Sequence, residues 1–169
     1  MGQHAMPAYD ISFAGRCGRR VEVTAAEAGI WEFRFRCGHR SVAPGGGLKL
    51  YCEVPRIWLA LGLQQDDPHG MSYVAVSGDI ACELEPPPRD WKELAWATIR
   101  LPQGLEPGQE VRVRYGTAAH PCYALARTYS RAPISWRVDH EATGEYYRYW
   151  PPLVISVVCD TAAQLNAVV

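Results

Sequence analysis

An excess of charge of either sign is missing from this chain: 17 Lys and Arg stand against 18 Asp and Glu, a formal net charge of -1 at pH 7. Phosphate backbones and anionic lipid attract proteins through a long-range field, which a balanced chain does not supply. Nucleic acid is therefore not an expected partner. Long apolar runs are missing too. Stretches such as Ile57–Leu63 and Leu153–Cys159 fall far short of the roughly 20 residues that cross a bilayer as a helix, so no membrane partner is expected. The first residues, Met1 to Met6, lack the basic and then apolar regions of a secretory leader. Met6 reads as a natural start, and residues 1–19 as an N-terminal arm or tag remnant ahead of the domain. The compartment is left open, with the cytoplasm as the default.

Motifs for catalysis and metal binding are equally scarce. The cysteines Cys17, Cys37, Cys52, Cys82, Cys122 and Cys159 include no Cys-x-x-Cys pair, which excludes zinc knuckles. Cys37, Cys52, Cys82 and Cys159 continue the apolar phase of a predicted strand and read as reduced core thiols. A disulfide between two inward cysteines on neighbouring strands is the open alternative. No His-Glu-x-x-His and no Gly-x-Ser-x-Gly sequence occurs. Cys122 and His120 flank Pro121, and in an extended chain they do not face each other as a nucleophile and base must. Gly45-Gly46-Gly47 lacks the Gly-Lys-Ser/Thr ending of a phosphate loop and leads into a strand, so these glycines read as a turn device. No cofactor is expected.

What the sequence does have is a period of two. Trp31, Phe33, Phe35 and Cys37 alternate with Glu32, Arg34 and Arg36, giving one apolar and one charged face only if the backbone is extended. Leu48, Leu50, Cys52 and Val54 repeat the pattern, as do Val111, Val113 and Tyr115, and Ile134, Trp136 and Val138. Weaker alternation marks Arg20–Thr24, Ser72–Val76, Ile80–Leu84, Trp96–Leu101, Tyr123–Thr128 and Leu153–Cys159. The last is apolar on both faces and reads as a central strand covered on both sides. Turn residues divide these runs, and the 13 prolines and 15 glycines suit a many-turned β fold and oppose helices. Longer loops are expected over Pro55–Gly70, whose start can form a short helix or an edge segment, and over Glu85–Trp91, with Pro86 to Pro88 as an extended spacer. Paired apolar faces need a partner layer, and with so few helical candidates that layer is a second sheet. The fold class is therefore all-β, an antiparallel two-sheet β-sandwich of immunoglobulin-like or related Greek-key topology over residues 20–169. With 169 residues, one such domain buries roughly two-thirds of its unfolded surface.

Two polar clusters invite chemistry. Asp139, His140 and Glu141, with Arg137 and Glu145 nearby, carry the residue types of a hard-metal site or a proton-transfer pair. Alternation sends Asp139 and His140 to opposite faces, however, and Asp139 stands where a side-chain oxygen caps a turn. Asp66, Asp67 and His69 form the second cluster, in an Asp-Asp-Pro turn. A third feature is aromatic: Tyr146, Tyr147, Tyr149 and Trp150 lie together before Pro151-Pro152. Such rings suit protein contacts or sugar stacking, and alternation buries some of them and exposes the rest.

Several turn and strand segments carry a resemblance. They are Gly29-Ile30-Trp31, Val42-Ala43-Pro44-Gly45-Gly46-Gly47-Leu48-Lys49-Leu50, Tyr73 to Ser77, Leu105 to Gly116, Asp139 to Gly144, and Leu153 to Cys159. Over about residues 20–169 the chain resembles the N-terminal accessory β-sandwich of an uncharacterised family of metal-dependent hydrolases of the polymerase-and-histidinol-phosphatase type. Cys37, Cys52, Cys159 and Pro121-Cys122 depart from that pattern. The resemblance implies that metal ligands belong to a following domain, so no catalytic residue carries over. The function expected first is a non-catalytic accessory or protein-interaction domain that docks on another domain or subunit, self-association included. The alternatives are a carbohydrate or small-ligand module, and a metal-assisted hydrolase using loop-borne carboxylates and histidines.

Overall fold

The structure, a computed structural model, describes residues 6–24, 27–52, 74–85, 95–119, 121–123 and 130–158. Among these the chain forms strands and no helix, and so no helix long and apolar enough to cross a membrane. The first seven are β1 (Ala8–Phe13), β2 (Arg16–Gly18), β3 (Arg20–Thr24), β4 (Ala28–Gly29), β5 (Trp31–Arg36), β6 (Gly47–Cys52) and β7 (Val74–Gly78). They are followed by β8 (Glu83–Glu85), β9 (Ala95–Arg100), β10 (Glu110–Tyr115), β11 (Cys122–Tyr123), β12 (Ser130–Asp139), β13 (Tyr147–Arg148) and β14 (Leu153–Val158).

The strands make two layers, ordered β2-β1-β5-β10-β7 in the smaller sheet and β3-β14-β12-β6-β9-β8 in the larger, with β13 paired to β12. A separate two-stranded ribbon joins β4 to β11. The two-sheet sandwich follows from the alternation. Phe33, Phe35, Val111 and Val113 of the smaller sheet and Leu48, Leu50, Trp136 and Val138 of the larger are all fully buried in one core. Phe35 and Trp136 meet across the layers with ring centroids 5.5 Å apart. Each such side chain contributes roughly 1.5–3 kcal/mol by leaving water.

Three expectations are corrected. The sandwich begins well before residue 20: β1 lies inside the smaller sheet, pairing β2 on one side and β5 on the other. Its Tyr9, Ile11 and Phe13 are buried, and Phe13 stacks on Trp31 at 4.2 Å. Residues 8–18 are therefore no arm. The sheets are also not wholly antiparallel, because β3 runs parallel to β14. Finally, β14 is central, between β3 and β12, with Leu153, Ile155 and Val157 fully buried, but its other face is only half-buried. The expected loop over Pro55–Gly70, the spacer at residues 86–91, and the cluster Asp66, Asp67 and His69 lie outside the described residues.

On the outer face of the smaller sheet, register sets opposite charges against each other at two positions and Arg34 against Arg112 at a third. Asp10 stands opposite Arg34 and bonds it, and Glu32 stands opposite Arg114 at 3.2 Å. Glu110 reaches both Arg34 and Arg112. Exposed pairs of this kind are each worth about 0–1 kcal/mol, so they make a solvated face and little stability.

Candidate functional site

The sequence-marked polar and aromatic residues from 139 to 150 gather at one end of the sandwich, where β12 ends. Backbone bonds build that end from three loops. Val42 and Leu105 exchange amide–carbonyl bonds at 2.8 and 2.9 Å, Ala43 N–H donates to the His140 carbonyl at 2.8 Å, and Gly45 N–H donates to that of Leu101 at 2.9 Å. Gly46 is required here by packing: a Cβ on it would lie 2.5 Å from the Asp139 carbonyl oxygen. Gly45 takes a positive φ of 86°, the left-handed region that glycine tolerates without cost. The triple glycine thus shapes a turn.

Asp139 and His140 do face opposite ways, as their alternation requires. Asp139, only 4 % exposed, accepts backbone N–H bonds from Glu141 at 3.3 Å, Thr143 at 3.1 Å and Gly144 at 2.8 Å. Its carboxylate closes the turn that follows β12, in the manner of an Asx cap. His140, 5 % exposed, shares the inward phase of Trp136 and Val138. Its Nδ1 lies 2.9 Å from the Ser41 carbonyl and its Nε2 lies 2.8 Å from the Tyr149 hydroxyl. A carbonyl only accepts, so Nδ1 carries the proton, and Nε2 accepts from the Tyr149 O–H. Glu141 points elsewhere again, paired with Arg40 at 3.0 Å on the surface. The three candidate ligands therefore hold three separate contacts. Among the described residues no group of three His, Cys, Asp or Glu side chains converges as a metal site does.

Burial holds the His140 pKa below its ordinary value of 6.5; Arg40 acts in the same sense, while the Ser41 bond and the carboxylates of Asp139 and Glu141 act against it. The sign is direct. An imidazole whose folded pKa is depressed binds its proton more readily when unfolded. Its share of stability is complete above pH 6.5 and falls as the pH drops from there toward the folded pKa. Urea midpoints at pH 7.5 and 5.5 are expected to show a fall in the wild type that is smaller in His140→Gln; an equal fall would contradict the lowered pKa of His140.

The aromatic group divides. Tyr149 packs inward, with ring centroids 5.8 Å from Phe35 and 6.5 Å from Tyr9, and burial pushes its phenol pKa up. It stays protonated and donates. Tyr146 is half-buried with the Lys49 ammonium 4.4 Å above its ring. Tyr147 and Trp150 are the exposed pair, at 51 % and 65 %. Arg40 lies 5.7 Å from the Tyr147 ring and Arg148 lies 4.7 Å from that of Trp150. Beside them, Lys49, Arg100, Glu85, Tyr146 and the turn from Ala142 to Gly144 border an open depression of about 430 Å³.

The cysteines bear on reactivity. Cys17, Cys37 and Cys82 are free thiols. Cys37 is buried and its Sγ lies 3.2 Å from the Arg40 carbonyl oxygen. Burial, reinforced by Glu106, pushes its pKa up to about 11, so it remains a thiol and a poor nucleophile. The side chains of Cys52, Cys122 and Cys159 lie outside the described residues.

One feature at this end escapes inspection of single strands. Arg137 stands directly opposite Lys49 on one side and Arg148 on the other, which places three cations in one row on the outer face of the larger sheet. Only the strand order reveals this. Compared with family models and with curated proteins, the chain matches none.

Proposed function

We propose that this chain is a non-catalytic interaction domain that docks on another domain or subunit through the β13 rim and the adjoining outer face of the larger sheet. The observation that carries the reading is the pair Tyr147 and Trp150, two large rings more than half exposed at the edge of an otherwise well-buried sandwich. Tyr and Trp anchor protein interfaces because they bring area at low rotamer cost. Guanidinium groups hold both rings from one side, so they are presented with part of that entropy already lost. Among the described residues, two polar side chains that favour an enzyme are, by contrast, committed to hydrogen bonds within the fold: Asp139 to three backbone amides, and His140 to the Ser41 carbonyl and the Tyr149 hydroxyl. An accessory role beside a hydrolase domain, as the sequence resemblance implies, is one form of this proposal.

Affinity capture from source cells tests it. Wild-type chain is expected to retain a stoichiometric partner, or a second copy of itself. Tyr147→Ser combined with Trp150→Ser should lose that partner while unfolding within about 0.5 kcal/mol of wild type. A control pair on the opposite face, Arg112→Ser with Arg114→Ser, should keep it. Retention by the ring variant, or a wild-type chain that captures nothing and sediments as a monomer, contradicts the proposal. The ligand-module alternative draws on the depression beside Tyr146, whose volume falls within the roughly 300–1,000 Å³ of small-molecule sites. It requires a tryptophan fluorescence change in a glycan screen.

A further inference from the structure

The rim that carries Tyr147 and Trp150 has a short ladder to the sandwich. β13 consists of Tyr147 and Arg148, paired with Val138 and Arg137, and so small a pairing is marginal by itself. Just beyond it, Tyr149 N–H donates to the Trp136 carbonyl at 2.9 Å, and the Tyr9 hydroxyl donates to the Pro151 carbonyl at 2.7 Å. Between these ties the Tyr149 ring enters the core beside Phe35 and Tyr9, and its hydroxyl donates to His140 Nε2 at 2.8 Å.

That last bond depends on the charge of the imidazole. The Ser41 carbonyl accepts from Nδ1–H at 2.9 Å, so in the neutral ring Nε2 carries the lone pair. A proton added there turns the acceptor into a donor. The Tyr149 O–H must then turn away, and a charge is left in a site only 5 % exposed. Of the charged neighbours, Arg40 in the loop after β5 opposes that charge, while Asp139 and Glu141 at the end of β12 favour it. Both carboxylates are already engaged, Asp139 by three amides and Glu141 by Arg40. The Cys37 thiol and the Tyr9 phenol face Tyr149, and burial keeps both neutral from pH 7.5 downward. Opening the segment to water is thus the route by which the imidazolium is hydrated.

We infer that His140 is a proton-operated latch on the docking rim: the neutral ring holds Tyr149, and with it Tyr147 and Trp150, against the sandwich, and protonation releases them. The inference rests on the docking reading and adds its regulation, a partner held at neutral pH and let go on acidification. His140 acts through Tyr149 and is a positioning residue, without contact to the partner.

Amide hydrogen exchange in the full chain, read by NMR at pH 7.5 and 5.5, tests it without a partner. In the open segment His140 regains its ordinary pKa of 6.5, which favours opening about tenfold at the lower pH. After correction for intrinsic rates, the Tyr149 amide is expected to exchange about tenfold faster at pH 5.5. At both pH values it should outpace the amide of Phe33, which lies on the middle strand of its sheet and opens with the whole fold. His140→Gln removes the titration and should abolish the gain; a gain that persists belongs to Asp139 or Glu141 and overturns the latch. Tyr149→Phe keeps the ring but not the bond, and its residue-149 amide should exchange about fivefold faster than wild type at pH 7.5. No acceleration there, a Tyr149 rate equal to that of Phe33, or a rate without pH dependence also overturns it. Wild-type retention of the captured partner should fall between pH 7.5 and 5.5, and fall less in His140→Gln; equal retention at both pH values contradicts the inference. If the Tyr149 amide ignores pH while the partner still depends on Tyr147 and Trp150, the latch falls and the docking reading stands. If the amide responds but no partner depends on those rings, the docking reading falls and the release of the segment stands.

Discussion

Phe33→Ala is expected to lower unfolding stability by about 3–5 kcal/mol, a large share of the roughly 5–15 kcal/mol that holds a domain together. Phe33 is 1 % exposed, sits between Ile11 and Val113 on the strands to either side, and meets Tyr115 edge-on at 5.8 Å. Those neighbours belong to strands already fixed by backbone ladders on both flanks, so the site collapses little when the ring is removed. Transfer loss and cavity then add. Arg112→Ala, on the same sheet but facing water, should change stability by less than about 0.5 kcal/mol. Urea unfolding with an unchanged m-value checks both. A Phe33→Ala chain as stable as wild type would mean that the two layers do not close over this residue.

Asp139→Ala is expected to cost about 3 kcal/mol, by leaving three backbone N–H groups without their charged acceptor. Two features decide the size. Asp139 is almost wholly buried, so water replaces the lost bonds poorly. The turn it closes also packs on Gly46, and Asp139 lies directly opposite Gly47, so release of the turn spreads to the start of β6. Asp139→Asn retains one acceptor oxygen and should fall between alanine and wild type. If Asp139 worked instead as a metal ligand, both variants would leave the apo chain nearly unchanged in stability. That result would return the cluster to the enzyme reading.

The fold was largely legible in the sequence, because a period of two with one apolar face has few solutions. Trp31, Phe33 and Phe35 occupy the buried face of β5 that their alternation requires, and Leu48 and Leu50 do the same in β6. β1 carries an equally plain signal, with Tyr9, Ile11 and Phe13 buried around Asp10 and Ser12. It was obscured by its neighbourhood, where a second methionine suggested that the chain properly starts later. The parallel pairing of β3 with β14 leaves no local trace, since both strands read the same in either direction.

The candidate site was legible in proportion to how local it is. The Asp139 cap spans five residues and follows from turn chemistry. The His140 contact to Ser41 spans 99 residues and depends on the loop after β5 folding over the end of β12. The division of the rings also went beyond alternation. Tyr147 and Tyr149 have the same parity, yet one is exposed and the other packs on Phe35. The cationic row is the least local feature of all. Lys49, Arg137 and Arg148 are ordinary outward residues in their own strands, and they become a row only through the order β13, β12, β6.

Site-specific photo-crosslinking tests the docking claim most directly. A photoreactive residue at position 150, in cells that carry the chain at natural abundance, is expected to give one discrete protein adduct. The same group at position 12, on the outer face of the opposite sheet, should give none. Adducts from position 12 and not from 150, or none from either, would contradict a partner seated on the Tyr147 and Trp150 rim.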